Sequence, residues 1–285
     1  MPRHLVDCAD QDLTAPPGRL AFFDLDGTLI GPDHGVAPAV LAEIARVRAA
    51  GVAVAIASGR PHFAARDIES AIGVNAPSVF FSGALITDPY RGPPLFEASL
   101  EPALIEAVVR TAHEHQLYIE LYTREGYFIT APHPLALVHA EYLRHRPEIV
   151  SFPDLIATER ILKIVTVSDR AADEAALRAI TTRFPGLTWG LGHGAAHPSL
   201  LFGNATSAAA SREHAFELIT NHLGIQADAV LAFGDGEADM PFLRLAGRGV
   251  AMGNARPEVQ AAARYVTHSV EERGVAYALR RLIPV

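Results

Sequence analysis

Cysteine is nearly missing from this chain of 285 residues: Cys8 stands alone, so no intrachain disulfide can form and nothing points to an oxidising compartment. Long hydrophobic runs are missing too. Apolar stretches such as Val52–Ala57 and Ala229–Phe233 fall far below the roughly 20 residues that cross a bilayer. No run of five Lys or Arg occurs, and the balance of 24 basic against 32 acidic side chains leaves a formal charge of −8. A nucleic-acid partner held by phosphate neutralisation is thereby disfavoured, and a phosphorylated ligand would need a local cation. The N-terminus lacks the apolar stretch of a signal peptide and carries Asp7, Asp10 and Asp12 instead. The reading is therefore a soluble, cytoplasmic protein with no membrane partner, in which residues 1–18 form a flexible tail.

Apolar residues are plentiful, at 49%, and the length suits two domains at roughly 150 residues each. Wholesale disorder is excluded. RLAFFDL at Arg19–Leu25, VAVAIA at Val52–Ala57 and the short Val79–Phe81 read as buried strands. Between them lie Pro38–Ala50, with Val40, Leu41, Ile44 and Val47 at helical spacing, and Pro61–Ile72, a helix behind an N-terminal proline. Strands apolar throughout and alternating with helices argue a parallel sheet covered on both faces. The rhythm resumes at Ser207–Leu223 (helix), Ala229–Phe233 (strand), Met240–Leu245 (helix) and Gly249–Met252 (strand), followed by helical Glu258–Arg264 and Glu272–Leu282. Between these halves, helices at Pro102–His115 and Ala171–Phe184 mix with strand-like Leu117–Tyr122, Tyr127–Thr130 and Ile161–Val167. The expected fold is α/β: a Rossmann-like parallel-sheet core, residues 19–84 and 205–285, with an inserted α+β cap domain, residues 85–204. NATSAAAS at Asn204–Ser211 reads as a flexible connector.

Three apolar strands end in chemistry. The first delivers Asp24-Leu25-Asp26-Gly27-Thr28, the second Ser58-Gly59-Arg60, and a late one Gly234-Asp235-Gly236-Glu237-Ala238-Asp239. In an open parallel sheet, ligands bind beyond the carboxyl ends of the strands. Asp24, Asp26, Asp235 and Asp239 would converge there, and such a cluster calls for a cation. Oxygen-only ligation favours Mg²⁺ before Ca²⁺ or Zn²⁺. Asp24 and Asp26 suit a nucleophile and an acid/base, because a carboxylate can accept a phosphoryl group covalently. Gly27 permits the turn, and Ser58-Gly59 at a helix N-terminus would offer a hydroxyl and free N–H groups to an anion.

DLDGTL at Asp24–Leu29, Ser58 and GDGEADM at Gly234–Met240 resemble the haloacid-dehalogenase-like (HAD) phosphohydrolase superfamily. The insertion, with GVAMGNA at Gly249–Ala255 and ERGVAYAL at Glu272–Leu279, is similar to the Cof-type class of sugar-phosphate phosphatases with a large α/β cap. The resemblance implies that Asp24 forms an aspartyl-phosphate and that Asp26 protonates the leaving oxygen, then activates water. It implies Mg²⁺ on Asp24, the Asp26 backbone carbonyl and Asp235, with Asp239 close by, and phosphate binding by Thr28, Ser58 and Gly59. Two departures stand out. Arg212 occupies the place of the family lysine, counted back from His222–Ile225, and Ala238 stands where the class usually has Asn. Ser82 likewise stands where Asn often precedes Gly-Ala. Arg212 keeps the positive charge for phosphate but is bulkier than lysine.

The reading is thus a Mg²⁺-dependent phosphomonoester hydrolase for a small phosphorylated metabolite, a sugar or polyol phosphate. A phospho-ligand binding protein without turnover and a phosphotransferase or mutase stay open as alternatives, and neither substrate identity nor oligomeric state can be read. Among the thirteen histidines, His113 and His115 sit two apart on a helix and read as solvated, and His193 and His197 lie in a Gly/Ala-rich loop more suited to substrate contact than to zinc. Tyr118, Tyr122 and Arg124 alternate along a cap strand and read as packing rather than a substrate-facing surface.

Overall fold

A computed structural model describes residues 2–8, 19–32, 35–169, 171–193 and 199–284. The chain folds into two compact units. Residues 1–59, 66–95 and 211–285 form one, and residues 60–65 and 96–210 the other. Leu85–Leu95 therefore stays with the first unit, whereas the sequence reading had given it to the insertion. Residues 60–65 go to the second.

The first unit is built on a six-stranded sheet in the order Arg3–His4, Tyr265–Val266, Arg248–Ala251, Val230–Gly234, Leu20–Phe23, Ala53–Ile56. Every neighbouring pair in it is parallel. All four residues of Leu20–Phe23 are buried, as a strand covered on both faces requires. Alternate side chains leave opposite faces. Phe22 meets Phe242 edge-on at 4.8 Å and Phe216 at 6.0 Å, rings carried by helices Met240–Leu245 and Arg212–Leu223. Phe23 stacks on its ladder partner Phe233 at 5.0 Å. Helices Pro38–Ala49 and Gly274–Leu282 pack together, and Arg46 donates to the terminal carbonyls of Leu279 and Ile283. That guanidinium satisfies orphan acceptors at a helix C-terminus, where positive charge is favoured.

Three expectations need correction here. The tail is not free over its first residues: Arg3–His4 pairs with Tyr265–Val266, and Leu5 is fully buried. Residues 9–18 lie outside the described ones. Pro61–Ile72 is not one helix; His62–Ala64 is a single 3₁₀ turn and the α-helix starts at Arg66. Helix Ser207–Leu223 begins only at Arg212, with the Ser211 hydroxyl capping the His214 N–H at 3.0 Å.

The second unit carries a six-stranded sheet ordered Leu187–His193, Leu201–Ser207, Lys163–Ser168, Tyr118–Tyr122, Tyr127–Ile129, Glu148–Ile149. It is antiparallel except for the last pair. Asn204–Ser207 is thus ladder rather than connector, because two flanking strands satisfy its backbone on both sides. Ile119 and Leu121 join Ile105, Val108, Leu155 and Leu177 of three helices in one core. Tyr118, Glu120 and Tyr122 take the opposite face, as a period of two demands. Glu120 is fully buried and accepts from the Tyr118 and Tyr122 hydroxyls and, at 2.6 Å, from His139 Nδ1. Arg124 pairs with its neighbour Glu125 at 3.1 Å on the surface. The tyrosines therefore pack and hydrogen-bond internally.

Candidate active site

The Leu20–Phe23 strand delivers Asp24 with its N–H donating to Phe233 O at 3.0 Å, which ties the two site-bearing strands together. The next residues turn sharply: the N–H groups of Thr28, Leu29 and Ile30 all close back on Leu25 O. Gly27 sits at φ +81°, and a Cβ there would stand 2.2 Å from Asp235 Oδ2. Only glycine admits both this conformation and the close approach. The Val230–Gly234 strand ends beside it, and a Cβ on Gly234 would stand 2.4 Å from Asp239 Cβ. This is what lets Asp239 fold back beneath its own strand end. Its Oδ2 accepts from the Asp235 and Gly236 N–H groups at 3.1 and 2.9 Å.

Asp24, Asp235 and Asp239 converge, each offering a carboxylate oxygen within 4.8 Å of the others. The Asp26 carboxylate is not in that trio; its expected contribution is the backbone carbonyl. Arg212 is 6% exposed. Its Nη1 donates to Ala57 O at 2.9 Å and to Asp239 Oδ1 at 3.2 Å, while its buried Nε has no protein partner. Arg212 thus reaches the carboxylate cluster through Asp239. Ser58, 2% exposed, follows the neighbouring strand with its N–H on Val79 O at 2.9 Å. Gly59 lies beside Ser82, whose Oγ would be 3.2 Å from a Cβ there. Since no helix begins at Ser58-Gly59, helix-terminus anion binding does not operate at that turn.

The Thr28 hydroxyl, 2% exposed, donates to Asp235 Oδ1 at 3.1 Å. Asn254, on the turn after Arg248–Ala251, is a neighbour that sequence reasoning missed: its Nδ2 reaches Gly27 O at 2.9 Å and Asp235 Oδ2 at 3.3 Å. The GNA stretch containing it was the available signal. Ala238 is exposed on the 3₁₀ turn Glu237–Asp239. His113 and His115 are exposed, while His197 and the side chain of His193 lie outside the described residues.

The electrostatics are those of crowded anions. Burial, then Asp239, raises the Asp24 pKa well above the usual carboxylate value, against the lowering pull of Arg212. Burial and then Asp239 push Asp235 up to about 7, opposed by the Thr28 hydrogen bond. Burial also raises Asp239, while Arg212 and the two backbone N–H groups resist. Arg212 sets one positive charge against Asp24 and Asp239. The all-oxygen donor set and the surplus of buried negative charge fit a hard divalent cation.

Known proteins bear on this arrangement. Residues 21–279 match the family model of haloacid dehalogenase-like hydrolases. An HMP-PP phosphatase of Citrobacter koseri is 27% identical over 280 residues, covering 91% of this chain and 98% of that protein. A phosphatase of the haloalkanoate (HAD) superfamily from Bacteroides thetaiotaomicron superposes with a TM-score of 0.79 at 24% identity, over 93% of this chain and 95% of the other. A sugar phosphatase of HAD subclass IIB gives a TM-score of 0.76 at 21% identity, over 92% of this chain and 98% of the other. None of the described helices is long and apolar enough to cross a membrane.

Proposed function

Because the chain belongs to the haloacid dehalogenase-like hydrolases, we propose that it is a Mg²⁺-dependent phosphomonoester hydrolase acting on a small sugar or polyol phosphate. The observation that carries this reading is the trio of buried Asp24 and Asp239 with half-buried Asp235, and Arg212 paired with Asp239. Asp24 Oδ attacks phosphorus, forming an aspartyl-phosphate as the bond to the leaving oxygen breaks, and Asp26 gives that oxygen its proton. Asp26 then takes a proton from water, which attacks phosphorus, releasing inorganic phosphate and restoring Asp24. Ser58, Gly59 and Arg212 hold the phosphoryl oxygens. Asp24, Asp235 and the Asp26 carbonyl would hold Mg²⁺, with Asp239 in support, and the ion would supply positive charge against the carboxylates and the transferring phosphoryl group.

The relatives named for phosphatase activity on HMP-PP and on sugars support a small phosphorylated substrate. Asp24 within the carboxylate cluster favours turnover over mere phospho-ligand binding, since a carboxylate can accept a phosphoryl group covalently. A panel of sugar, polyol and heterocyclic phosphates, assayed for phosphate release with and without Mg²⁺, tests the reading. Mg²⁺-dependent release from some member is expected; tight binding of members with no release from any would favour the non-catalytic alternative.

A further inference from the structure

Asn254 is exposed, on a turn remote in sequence from the motifs, yet every polar atom of its side chain is committed. Oδ1 accepts from the Val270 N–H at 3.0 Å. That bond fixes which end of the amide is which, so the NH₂ must face the other way. There it donates to Gly27 O at 2.9 Å and to Asp235 Oδ2 at 3.3 Å. The other oxygen of Asp235 accepts from Thr28 at 3.1 Å. Asp235 is therefore gripped at both oxygens, by Thr28 on the first loop and by Asn254 on a third segment.

We propose that Asn254 is a positioning residue that sets the distance between the two ligand-bearing loops, holding Asp235 against the peptide that follows Asp26. It touches neither substrate nor reacting atoms. Its effect runs through ligand geometry, since a carboxylate ligand is oriented by the hydrogen bonds on its outer side. The 3.3 Å contact with Asp235 is the weaker of its two, and it would tighten as the carboxylate is drawn into ligation. Tethering through Val270 makes the orientation independent of the local turn. The inference rests on Asp235 being a Mg²⁺ ligand, as proposed above.

Titration calorimetry of MgCl₂ into wild type, Asn254→Ala and Asp235→Asn separates the two claims, joined by thermal melting without metal and by p-nitrophenyl phosphate turnover against Mg²⁺ concentration. In Asn254→Ala, the Mg²⁺ dissociation constant is expected to rise about tenfold or more. Its kcat at saturating Mg²⁺ should stay near wild type, with the metal-free melting temperature unchanged. A general structural role would instead lower metal-free stability and kcat together, with no rescue by Mg²⁺, and would overturn the proposal. Normal Mg²⁺ affinity in Asn254→Ala beside its loss in Asp235→Asn would overturn the role of Asn254 alone. Undiminished binding by Asp235→Asn would overturn the metal reading beneath it. Should Asn254→Ala fail to fold, Asn254→Ser is judged by the same criteria.

Discussion

Each unit buries carboxylate in a different way. In the second unit, Glu120 is fully buried and closed off by two tyrosine hydroxyls and His139. The Lys163 ammonium lies 5.7 Å over the Tyr122 ring, and burial, opposed by Glu120, brings its pKa down to about 8. In the first unit, burial raises the pKa values of Asp24, Asp235 and Asp239, Asp239 pushes Asp24 and Asp235 further up, and Arg212 pulls Asp24 and Asp239 back down. A buried charge is tolerated when hydrogen bonds and an opposite charge surround it. Glu120 meets that condition from within the chain; the aspartates do not. The Glu120 cluster is internally complete, whereas the aspartate trio could take up a further positive charge.

The largest effect should come from removing the proposed nucleophile: Asp24→Asn is expected to cut phosphate release by on the order of 10⁴-fold or more while circular dichroism stays native. Chelation comes next. EDTA should abolish hydrolysis and Mg²⁺ restore it, whereas neither should alter a Glu120→Gln protein's stability differently from wild type. Arg212→Ala should lose on the order of 10²-fold in kcat, as when one donor to developing charge is deleted. Arg212→Lys should retain much more, because it keeps the charge beside Asp239.

The smaller effects are on stability. Without metal, Asp235 protonates at about 7 against an ordinary value of 3.8. Between those pH values the folded state binds more protons than the unfolded one, so stability falls as pH rises and levels off above that range. Melting temperatures of the EDTA-treated protein should follow that slope, and saturating Mg²⁺ should remove it. Glu120→Gln should cost about 1–3 kcal/mol in denaturant unfolding, since an amide NH₂ then faces Tyr122 or His139. It should leave the Mg²⁺ dependence of turnover unchanged. A Mg²⁺ response lost with Glu120 would erase the contrast between the two clusters.

The core was legible because its strands are continuous apolar runs ending in Asp, Ser or Gly, a pattern that burial on both faces imposes. The second unit was less so. Pro134–Leu143 is apolar nearly all round, with no polar stripe to mark it as a helix, and Phe152–Thr158 is only seven residues long. Leu187–His193 and Leu201–Ser207 are glycine- and alanine-containing strands held by ladder partners rather than by propensity. Within the site, the aspartates could be found from strand ends, and Arg212 from the family resemblance. Thr28 could not be assigned to Asp235, because the approach of a residue 207 positions away decides where its hydroxyl points. Asn254 stands in the GVAMGNA stretch, but its contacts lie in three segments that only tertiary structure brings together.

The chemistry assigned to Asp24 can be read most directly by acid-quenching wild type and Asp24→Asn during p-nitrophenyl phosphate turnover with Mg²⁺ and mapping the peptides by mass spectrometry. The expected result is a phosphorylated peptide whose modified residue is Asp24, absent from the variant. Steady turnover with the phosphoryl group on another residue, or an unchanged phosphopeptide in Asp24→Asn, would contradict the account.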